Sequence, residues 1–551
     1  MRVVASIIAA AVVLHGAVHW AAGATMAADP ASTDWPQWGG TDPGRNMVSA
    51  ETNLPDSFEP GRAAGRDRVA PVPGRNVRWR VPIGAHIYGT PTVAGGRIYV
   101  GTDGSGVAPG RFQSKPAGRV LCLDEQTGRL VWELNVPRSS PARLKGNFLS
   151  QEASAGICSS VAVDGDHAYV LTGNGLLLCL TAGGLAAGNQ GPFRDEGRFL
   201  SGGGTNAVAT LPTDADIVWI YDLVEDLHVS IHDVSSCSPL VHGAYIYLET
   251  SNGVTENHRT RLNPDAPSFI VIDKVTGRLV AADNEKIGQR LFHCLWSPPS
   301  LGTVDDRTLV FFGGGDGVCY AFAAPHAPAE ASGATQRLEK VWSYDCNPPE
   351  YRTQNGHPVS YLDGDKRKGD KGPNRNDGSY AGPSEIIAGP VFWHNRVYVA
   401  IGQDPAHGRG RGMLHCIDAA QTGDISQTGC IWHFDQIERT LSGVAIADGR
   451  LFAADLAGHV FCLNADTGAL YWTHDLRSET WGTPLVADGK VYIESVNGLH
   501  VLSAGAEPKE LAHIRLDAPG YGSVVAAHGT LYVASDRTLW AVRRNDGIQK
   551  P

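Results

Sequence analysis

The chain has 551 residues, a formal net charge of −11, and charged residues at only 19% of its positions. With no basic stripe in the sequence, this negative balance argues against the backbone of a nucleic acid as a partner. The 66 glycines and 33 prolines favour many short strands joined by tight turns, and the length suits either several domains or one long all-β fold.

Residues 1–27 have the pattern of a secretory signal peptide. A positively charged start is followed by a short apolar stretch over residues 3–14 and by small residues that allow cleavage after Ala24 or Ala27. The apolar stretch is too short to span a membrane, and no later segment replaces it. No cysteine precedes Cys122, so no lipid anchor is expected. The protein is therefore predicted to be periplasmic or secreted.

A leader rich in Trp, Gly and Pro follows over residues 28–76, and from there to residue 545 one strand-and-turn pattern recurs eight times. Two clear examples begin at Tyr88 and Trp481, each a strand, a tight turn and a second alternating strand. The position of Pro91 is filled in the later units by Ser160, Pro239, Pro299, Pro390, Val444, Pro484 and Val524. The last three lie 40 residues apart, about the length of one four-stranded propeller blade.

A third strand and a further turn complete each unit. The segments Leu121–Trp132 and Phe461–Trp472 share a Cys-Leu strand, a Thr-Gly turn and a closing tryptophan. Glycine allows the positive φ at which the third and fourth strands reverse. We expect the tryptophan to cover the core between neighbouring blades. The excess length of the other units is assigned to loops, above all an insert at about residues 346–385.

The last unit ends at Leu539–Val542 without a fourth strand, and only a tail over residues 546–551 remains. The missing strand is predicted at Val77–Pro82, beside the strand that carries Trp540. Such closure removes exposed sheet edges. The fold class is therefore predicted to be all-β: an eight-bladed β-propeller of four-stranded antiparallel blades over residues 77–545, closed by an N-terminal strand.

The repeat explains most of the cysteines. Four occupy one position of the third strand that holds Val or Ala in the other blades, so we expect reduced core residues rather than disulfides or ligands. They are Cys122, Cys179, Cys416 and Cys462. Only Cys294 and Cys346, which flank the fourth blade, are considered as a disulfide pair.

These units resemble the PQQ-like repeats of quinoprotein dehydrogenases and, equally, the propeller of the bacterial outer-membrane barrel assembly machinery. The resemblance covers roughly residues 77–545 and rests on Ala-x-Asp-Gly-x-Val-Tyr-Ile strands and Cys-Leu-Asn-Ala-Asp-Thr-Gly-Ala-Leu-Tyr-Trp turns. The leader segment Asp34–Gly40 is similar to the Trp- and Gly-rich opening of quinoprotein-type chains. Because both relatives carry the repeat, it implies the fold without an activity.

A quinoprotein enzyme would hold pyrroloquinoline quinone (PQQ) in the funnel, with Ca²⁺ bound by Glu, Asn and Asp and a separate Asp as base. The resemblance puts Asn252 at the Asn ligand, although Asn-Gly is also an ordinary turn pair. Ser297 stands where the base is required, and Glu152 lies one strand too early for the Glu ligand. The adjacent cysteine pair of many alcohol-oxidising members is absent from the sequence. PQQ with Ca²⁺ is therefore expected only under an alternative, enzymatic interpretation.

One residue per blade, three positions before the aligned proline, is predicted to surround the mouth of the central funnel. The eight are Tyr88, Ile157, Ser236, Trp296, Ile387, Leu441, Trp481 and Tyr521. The four aromatic members either bind a flat ligand or a peptide, or plug a narrow channel. Arg439 is either an anion contact beside them or a solvated rim residue.

Two loops are rich in possible ligands for a metal ion. In the insert, the oxygen density around Asp363 and Asp365 suits Ca²⁺, without the spacing of an EF-hand. After the second strand of blade five, Asp404 and His407 form a candidate acid–base or metal pair. Simple loop solvation is the alternative for the insert, and the pair lacks a third partner.

The sequence thus favours an exported, monomeric propeller that acts as a binding or scaffold protein of the cell envelope rather than an enzyme. An envelope protein, a peptide or a polysaccharide is the expected partner, and no cofactor is assigned. The alternatives are a PQQ-dependent dehydrogenase with an atypical active site and, behind it, a hydrolase or metalloenzyme that uses the blade-five loop.

Overall fold

Eight β-sheets form a ring around a central channel in a computed structural model of the chain. The chain divides into residues 1–32 and 33–551. The signal-peptide pattern, the tail and much of the insert lie outside the residues that the structure describes. The described residues are 34–61, 74–106, 111–112, 115–144, 149, 151–152, 154–203, 207–255, 260–325, 335–354, 356–358, 362–363, 366–367, 383–405 and 410–544.

Each blade has four antiparallel strands. In blade order, the innermost strands are Thr92–Ala94, Ala162–Asp164, Leu240–His242, Ser300–Val304, Val391–Trp393, Ala445–Ala447, Leu485–Ala487 and Val525–Ala527. The second strands are Arg97–Thr102, His167–Leu171, Tyr245–Glu249, Arg307–Gly313, Arg396–Ala400, Arg450–Ala454, Lys490–Ser495 and Thr530–Ala534. The third strands are Gly118–Asp124, Leu176–Thr181, Phe269–Asp273, Val318–Ala323, Leu414–Asp418, His459–Asn464, Gly498–Ser503 and Thr538–Val542. The outer strands are Leu130–Val136, Ile217–Asp222, Leu279–Ala282, Lys340–Asp345, Cys430–Phe434, Leu470–Asp475, Glu510–Ile514 and Val77–Pro82.

Short strands, hairpins and helices lie outside the four-stranded blades. Parallel strands are added to blades seven, three and four by Val48–Ser49, Gln336–Arg337 and Gly423–Asp424. Two small hairpins pair Thr353–Gln354 with His357–Pro358 and Leu362–Asp363 with Lys366–Arg367. The described helices are Glu196–Leu200, Leu223–Leu227 and Pro349–Arg352, with 3₁₀ turns at Leu185–Ala187 and Ile287–Gln289. None of the described helices has the length and apolar character needed to cross a bilayer.

The ring closes as the sequence predicts. Val77–Pro82 pairs antiparallel with Thr538–Val542, with Trp79 opposite Ala541 and Arg80 opposite Trp540. The first strand of the ring in chain order is therefore the outer strand of the last blade. The predicted eight-bladed, N-terminally closed propeller is confirmed.

A tryptophan on the outer strand joins most blades to the next. Its indole N–H donates to a backbone carbonyl in the turn after the third strand of the following blade, over 2.9 to 3.3 Å. The six residues that do so are Trp79, Trp132, Trp219, Trp342, Trp432 and Trp472. Blades three and seven carry Ala281 and Ala512 at the same position.

The glycine of the turn lies against these indoles. Four such glycines have positive φ, and a Cβ on any of them would lie 2.6 to 2.8 Å from the ring of the preceding blade's tryptophan. They are Gly128, Gly184, Gly277 and Gly468. Each of these turns therefore needs glycine for two reasons: the chain reverses there with a positive φ, and the indole approaches too closely for a side chain.

Eight of the ten cysteines are buried and behave as small core residues, with one correction to the sequence prediction. Cys122, Cys179, Cys416 and Cys462 are buried opposite equivalent second-strand aromatics, and all ten cysteines are free. The considered disulfide between Cys294 and Cys346 is therefore wrong. Both thiols are buried, and this burial raises the pKa of each well above its usual value.

The leader passes the inner strand of every blade in turn, a path that its sequence did not reveal. Hydrogen bonds join the two chain segments at each step, through the backbone or a short polar side chain. In blade order the pairs are Trp35 with Val93, Pro36 with Val163, Gln37 with Val241, Pro43 with Leu301, Gly44 with Phe392, Asn46 with Ile446, Met47 with Val486 and Ser49 with Ala526.

Arg45 fixes the leader inside the channel. Its side chain is fully buried and donates to the carbonyl oxygens of Trp38, Pro239 and Pro299, the last two at 2.9 and 3.0 Å. The guanidinium also lies 5.7 Å from the centre of the Trp38 ring. Burial lowers the pKa of Arg45 to about 9, so the group stays charged at neutral pH. One cation therefore joins the leader to blades three and four.

The contact between blades can be tested at Trp432, whose indole donates to the carbonyl of Ala465 over 3.1 Å. Trp432→Phe keeps a ring against Gly468 but removes the indole donor, which leaves the Tyr398 hydroxyl at 3.2 Å as the remaining donor to this carbonyl among the described residues. We expect the free energy of unfolding to fall by about 1–3 kcal/mol in chemical denaturation. Tyr471→Phe, an exposed residue on the same strand as Trp472, should change it by less than about 0.5 kcal/mol. Equal losses in both variants would contradict the assigned role of the indole.

Candidate functional site

A cavity of about 320 Å³ opens at the end of the channel where the chain enters the innermost strands. Seven of the eight predicted mouth residues line it, namely Tyr88, Ser236, Trp296, Ile387, Leu441, Trp481 and Tyr521. Trp38 of the leader also lines it and lies against Gly389 and Gly443, one level deeper than the mouth residues. The leader therefore bounds the inner end of the cavity.

The eighth position is Cys158, not Ile157. In blade two, Ala162 pairs with Tyr169 as Thr92 pairs with Tyr99 in blade one, so Val161 and not Ser160 corresponds to Pro91. The shift of one residue brings Cys158 to the cavity wall. Ile157 is instead buried, packed close to Gly101 and Gly118 of blade one.

Blade four keeps the predicted register although its first hairpin is longer. Ser300 pairs with Phe311, which lies opposite Ala321, as Thr92 pairs with Tyr99, which lies opposite Cys122, so Pro299 corresponds to Pro91. The inner strand is longer by two residues, and Trp296 still lines the cavity. The indole N–H of Trp296 donates to the carbonyl of Val234 over 2.8 Å.

Three of the aromatic residues form one cluster across blades seven, eight and one. The rings of Tyr88 and Trp481 are stacked, with centroids 5.6 Å apart and planes 15° apart. Tyr521 lies 5.5 Å from Tyr88 and 4.5 Å from Trp481. The Trp481 indole N–H donates to the Glu479 carboxylate over 2.6 Å, which fixes the ring. The cluster gives the cavity a rigid aromatic wall.

A buried carboxyl group supports this wall from below. Glu494 is the penultimate residue of the second strand of blade seven and accepts a hydrogen bond from the backbone N–H of Ala534 over 3.1 Å. Its other carboxyl oxygen has no hydrogen-bond partner within the part of the chain that the structure describes. Burial raises the pKa of Glu494 to about 8, so the group is protonated at neutral pH. Gly520, beside Tyr521, packs against this carboxyl.

Arg439 does not belong to the described wall of the cavity. It is fully buried, its backbone N–H donates to Gly410, and its carbonyl accepts from Leu456. The guanidinium lies 5.3 Å from the centre of the Tyr351 ring, in the helix after blade four. The residue precedes the sixth inner strand as predicted, but its side chain packs between blades.

The structure describes three of the five candidate metal ligands. Asn252 is buried and accepts from the Ser230 N–H while donating to the Asn263 carbonyl, both at 3.0 Å. Asp404 lines the cavity, and its backbone N–H donates to Glu385 over 3.1 Å. Asp363 lies in the short strand Leu362–Asp363. Asp365 and His407 lie outside the described residues.

The residues at the family's cofactor positions do not fit a calcium-bound quinone. The oxygen and the amide of Asn252 are both engaged with the backbone, so neither is presented to an ion. The Ser297 hydroxyl donates to the Ala388 carbonyl over 3.0 Å. Glu152 accepts from the Ser139 N–H and the Asn174 amide. Each group stabilises local structure rather than facing a ligand.

Sequence reasoning missed one carboxylate and one indole of the cavity wall, Asp233 and Trp38, the second of which comes from the leader. It named Asp404 as a candidate ligand but did not place it at the mouth. The available signal for Asp233 was the His-Asp pair that precedes the third inner strand. No signal connected Trp38 to the funnel, because the leader reaches it mainly through backbone hydrogen bonds.

The eight blades, the indole contacts between them and the N-terminal closing strand define a closed β-propeller. Its resemblance to the PQQ-like repeat propellers is confirmed. A family model described as outer membrane protein assembly factor BamB matches residues 116–186 and 410–517, which is well under half of the chain. No curated protein matches the chain significantly in sequence.

Solved structures share this fold at low sequence identity. A europium-containing methanol dehydrogenase is 10% identical, with a TM-score of 0.53, and the match covers 91% of this chain and 89% of that chain. BamB from Moraxella catarrhalis is 14% identical over 84% of this chain and 99% of its own, with a TM-score of 0.47. A quinohemoprotein alcohol dehydrogenase from Comamonas testosteroni is 13% identical over 94% and 82%, with a TM-score of 0.46. These likenesses concern the fold alone.

The buried carboxyl below the aromatic wall predicts a pH dependence of stability. Between the ordinary pKa of 4.5 and the raised pKa of about 8, the folded chain keeps a proton on Glu494 that the unfolded chain releases. The free energy of unfolding therefore falls as pH rises through this window, by about 1.4 kcal/mol per pH unit from this group. Glu494→Gln should unfold like the parent near pH 5 and at a higher temperature near pH 8.

Thermal unfolding at several pH values measures this difference. Glu507→Gln, which removes an exposed carboxylate from the same blade, is the matched control and should follow the parent at every pH. Curves for the parent and Glu494→Gln that stay parallel from pH 5 to 8 would show that the buried carboxyl does not hold the proton.

Proposed function

We propose that the protein is a binding protein of the cell envelope whose cavity holds an aromatic side chain of a partner protein or peptide. The observation that carries this proposal is the aromatic wall of Tyr88, Trp481 and Tyr521, facing a cavity of about 320 Å³ that Trp38 bounds from within. Concave, mostly apolar pockets with a few polar groups are typical of ligand sites. Planar rings add stacking energy to the burial of apolar area.

The acidic groups of the cavity favour a partner with positive charge. Asp233 and Asp404 lie on the wall, and the whole chain has a net charge of −11. A peptide segment that combines an aromatic residue with Lys or Arg therefore fits the cavity best. A polysaccharide, whose rings also stack on tryptophan, is the second partner to test.

An envelope location agrees with two observations. Residues 1–27 have the pattern of a signal peptide, and the family model that matches residues 116–186 and 410–517 is described as an outer membrane protein assembly factor. We infer from these that the propeller acts in the periplasm or outside the cell.

A quinone-dependent dehydrogenase is the less favoured function. A propeller similar to that of a methanol dehydrogenase is compatible with it, but Ser297 and Asn252 are both engaged with backbone groups. Addition of PQQ with Ca²⁺ tests it directly. A shifted quinone spectrum, a raised melting temperature and alcohol-driven dye reduction would together support the enzyme over the binding protein.

Peptide selection on the immobilised protein tests the binding function. We expect a random heptapeptide library to be enriched in sequences with Trp, Tyr or Phe beside Lys or Arg. Calorimetry on selected peptides should then show at least a tenfold weaker Kd for Trp481→Ala, because a buried aromatic anchor contributes about 2 kcal/mol or more. Tyr471→Ala, an exposed aromatic on the outer strand of blade six, should leave the Kd unchanged.

Two outcomes would count against peptide binding at this cavity. The first is a library without enrichment, while cell-wall or envelope oligosaccharides bind and depend on Trp481. The second is peptides that bind the parent and Trp481→Ala with equal Kd, which would move the site to another face of the propeller.

A further inference from the structure

Two imidazoles and a carboxylate come together beside the cavity, where blades three and four meet. His232, Asp233 and His293 each present one ligand atom, and these atoms all lie within 4.8 Å of one another. His232 Nε2 is 3.6 Å from Asp233 Oδ2. The two imidazole rings are 4.1 Å apart, edge to face. Since metal–ligand bonds are about 2.1 Å long, small side-chain rotations would bring all three atoms onto one ion.

Groups behind the histidines hold them as metal-binding histidines are held. The Nδ1 atom of His232 is 2.9 Å from the Val254 carbonyl oxygen, an acceptor that keeps the proton on Nδ1 and directs the lone pair of Nε2 toward Asp233. The Nδ1 atom of His293 is 3.1 Å from the Cys294 sulfur and 3.9 Å from a Glu385 carboxylate oxygen. The carbonyl partner fixes the tautomer of His232 and raises the basicity of its ligating nitrogen, while the Glu385 carboxylate places negative charge near His293.

The backbone is shaped to bring the three residues together. Asp233 has a φ of 55°, a left-handed conformation that a residue other than glycine adopts at a cost. A Cβ on Gly253 would lie 2.6 Å from the Cβ of His232 and 2.8 Å from the His293 carbonyl, so only glycine allows these segments to meet. Trp296 packs its ring edge-on to His293 at 5.5 Å.

The cluster is reached from the cavity. The side chains of His232 and His293 are fully buried, whereas that of Asp233 is 16% exposed and lines the cavity wall. An ion on these three ligands would therefore be shielded by protein behind the imidazoles and would face the cavity on the side of Asp233.

We propose that His232, Asp233 and His293 bind a divalent first-row transition-metal ion, with its remaining coordination positions directed into the cavity. Two nitrogen ligands and one carboxylate suit Zn²⁺, Co²⁺, Mn²⁺ or Fe²⁺, while Ca²⁺ takes six to eight oxygen ligands. Such an ion adds to the aromatic wall a position that binds an oxygen or nitrogen donor of the ligand. The site shares Asp233 with the acidic wall of the cavity but uses none of the aromatic residues as metal ligands, so metal binding can be measured without any peptide.

Co²⁺ is the probe, because its visible absorption reports the ligands directly. We expect the metal-free mature protein to bind one Co²⁺ per chain, with a raised melting temperature, displacement by Zn²⁺ and none by Ca²⁺. Asp233→Asn and His293→Gln should each weaken the Kd for Co²⁺ by about 100-fold or more. Asp233 is partly exposed, so its variant tests the site even where a change at the buried histidine impairs folding.

His513→Gln is the matched control. His500, Glu510 and His513 form a second cluster of the same composition, in which Glu510 and His513 are exposed. Replacement of His513 should leave the high-affinity Co²⁺ spectrum and the rise in melting temperature unchanged. The proposal is overturned if the parent binds neither Co²⁺ nor Zn²⁺ at micromolar concentrations, or if His513→Gln abolishes binding while Asp233→Asn and His293→Gln retain it. No peptide is present, so either result leaves the peptide-binding function to its own test.

Discussion

The hydrogen bond from an outer-strand indole to the next blade's turn is the contact on which the ring depends. It joins an indole N–H to a backbone carbonyl of the neighbouring blade, and it requires glycine where the indole lies against the turn. Because the propeller is closed, each blade is held from both sides. The outer strands of blades three and seven lack the indole and carry Ala281 and Ala512 at its position. The sequence repeat therefore encodes the contacts between neighbouring blades as well as the blades themselves.

The leader adds a second kind of order, across the blades rather than between neighbours. It touches the inner strand of each blade once, and Arg45 joins it to the carbonyls of blades three and four. The position of Trp38 at the inner end of the cavity follows from this path. The cavity is therefore shared between the repeats, which supply its wall, and a non-repeating segment, which supplies its inner boundary.

The sequence predicts the ring well because the pattern of one blade recurs eight times. The strand Val77–Pro82 is left without a blade of its own, so it can be paired with the strand that carries Trp540 by elimination. It fails where one residue of register matters: Ile157 is wrongly predicted at the mouth because residue types cannot reveal how a hairpin pairs. It also fails to predict the direction of a side chain: Arg439 precedes the sixth inner strand as expected, but its guanidinium lies over the Tyr351 ring. His232 and His293 are far apart in the chain and meet only when two blades pack.

The route of the leader has a consequence for how the protein reaches its native state. The Ser49 hydroxyl bonds to Ala526, 477 positions later, and Arg544 bonds to Leu54, 490 positions earlier. Contacts over such separations form slowly, because a long loop must close before they stabilise anything. The leader can therefore complete its contacts only after the last blade of the ring has formed. Until they meet, unpaired strand edges stay available to other chains, so aggregation during assembly, rather than unfolding afterwards, is the main hazard of this architecture.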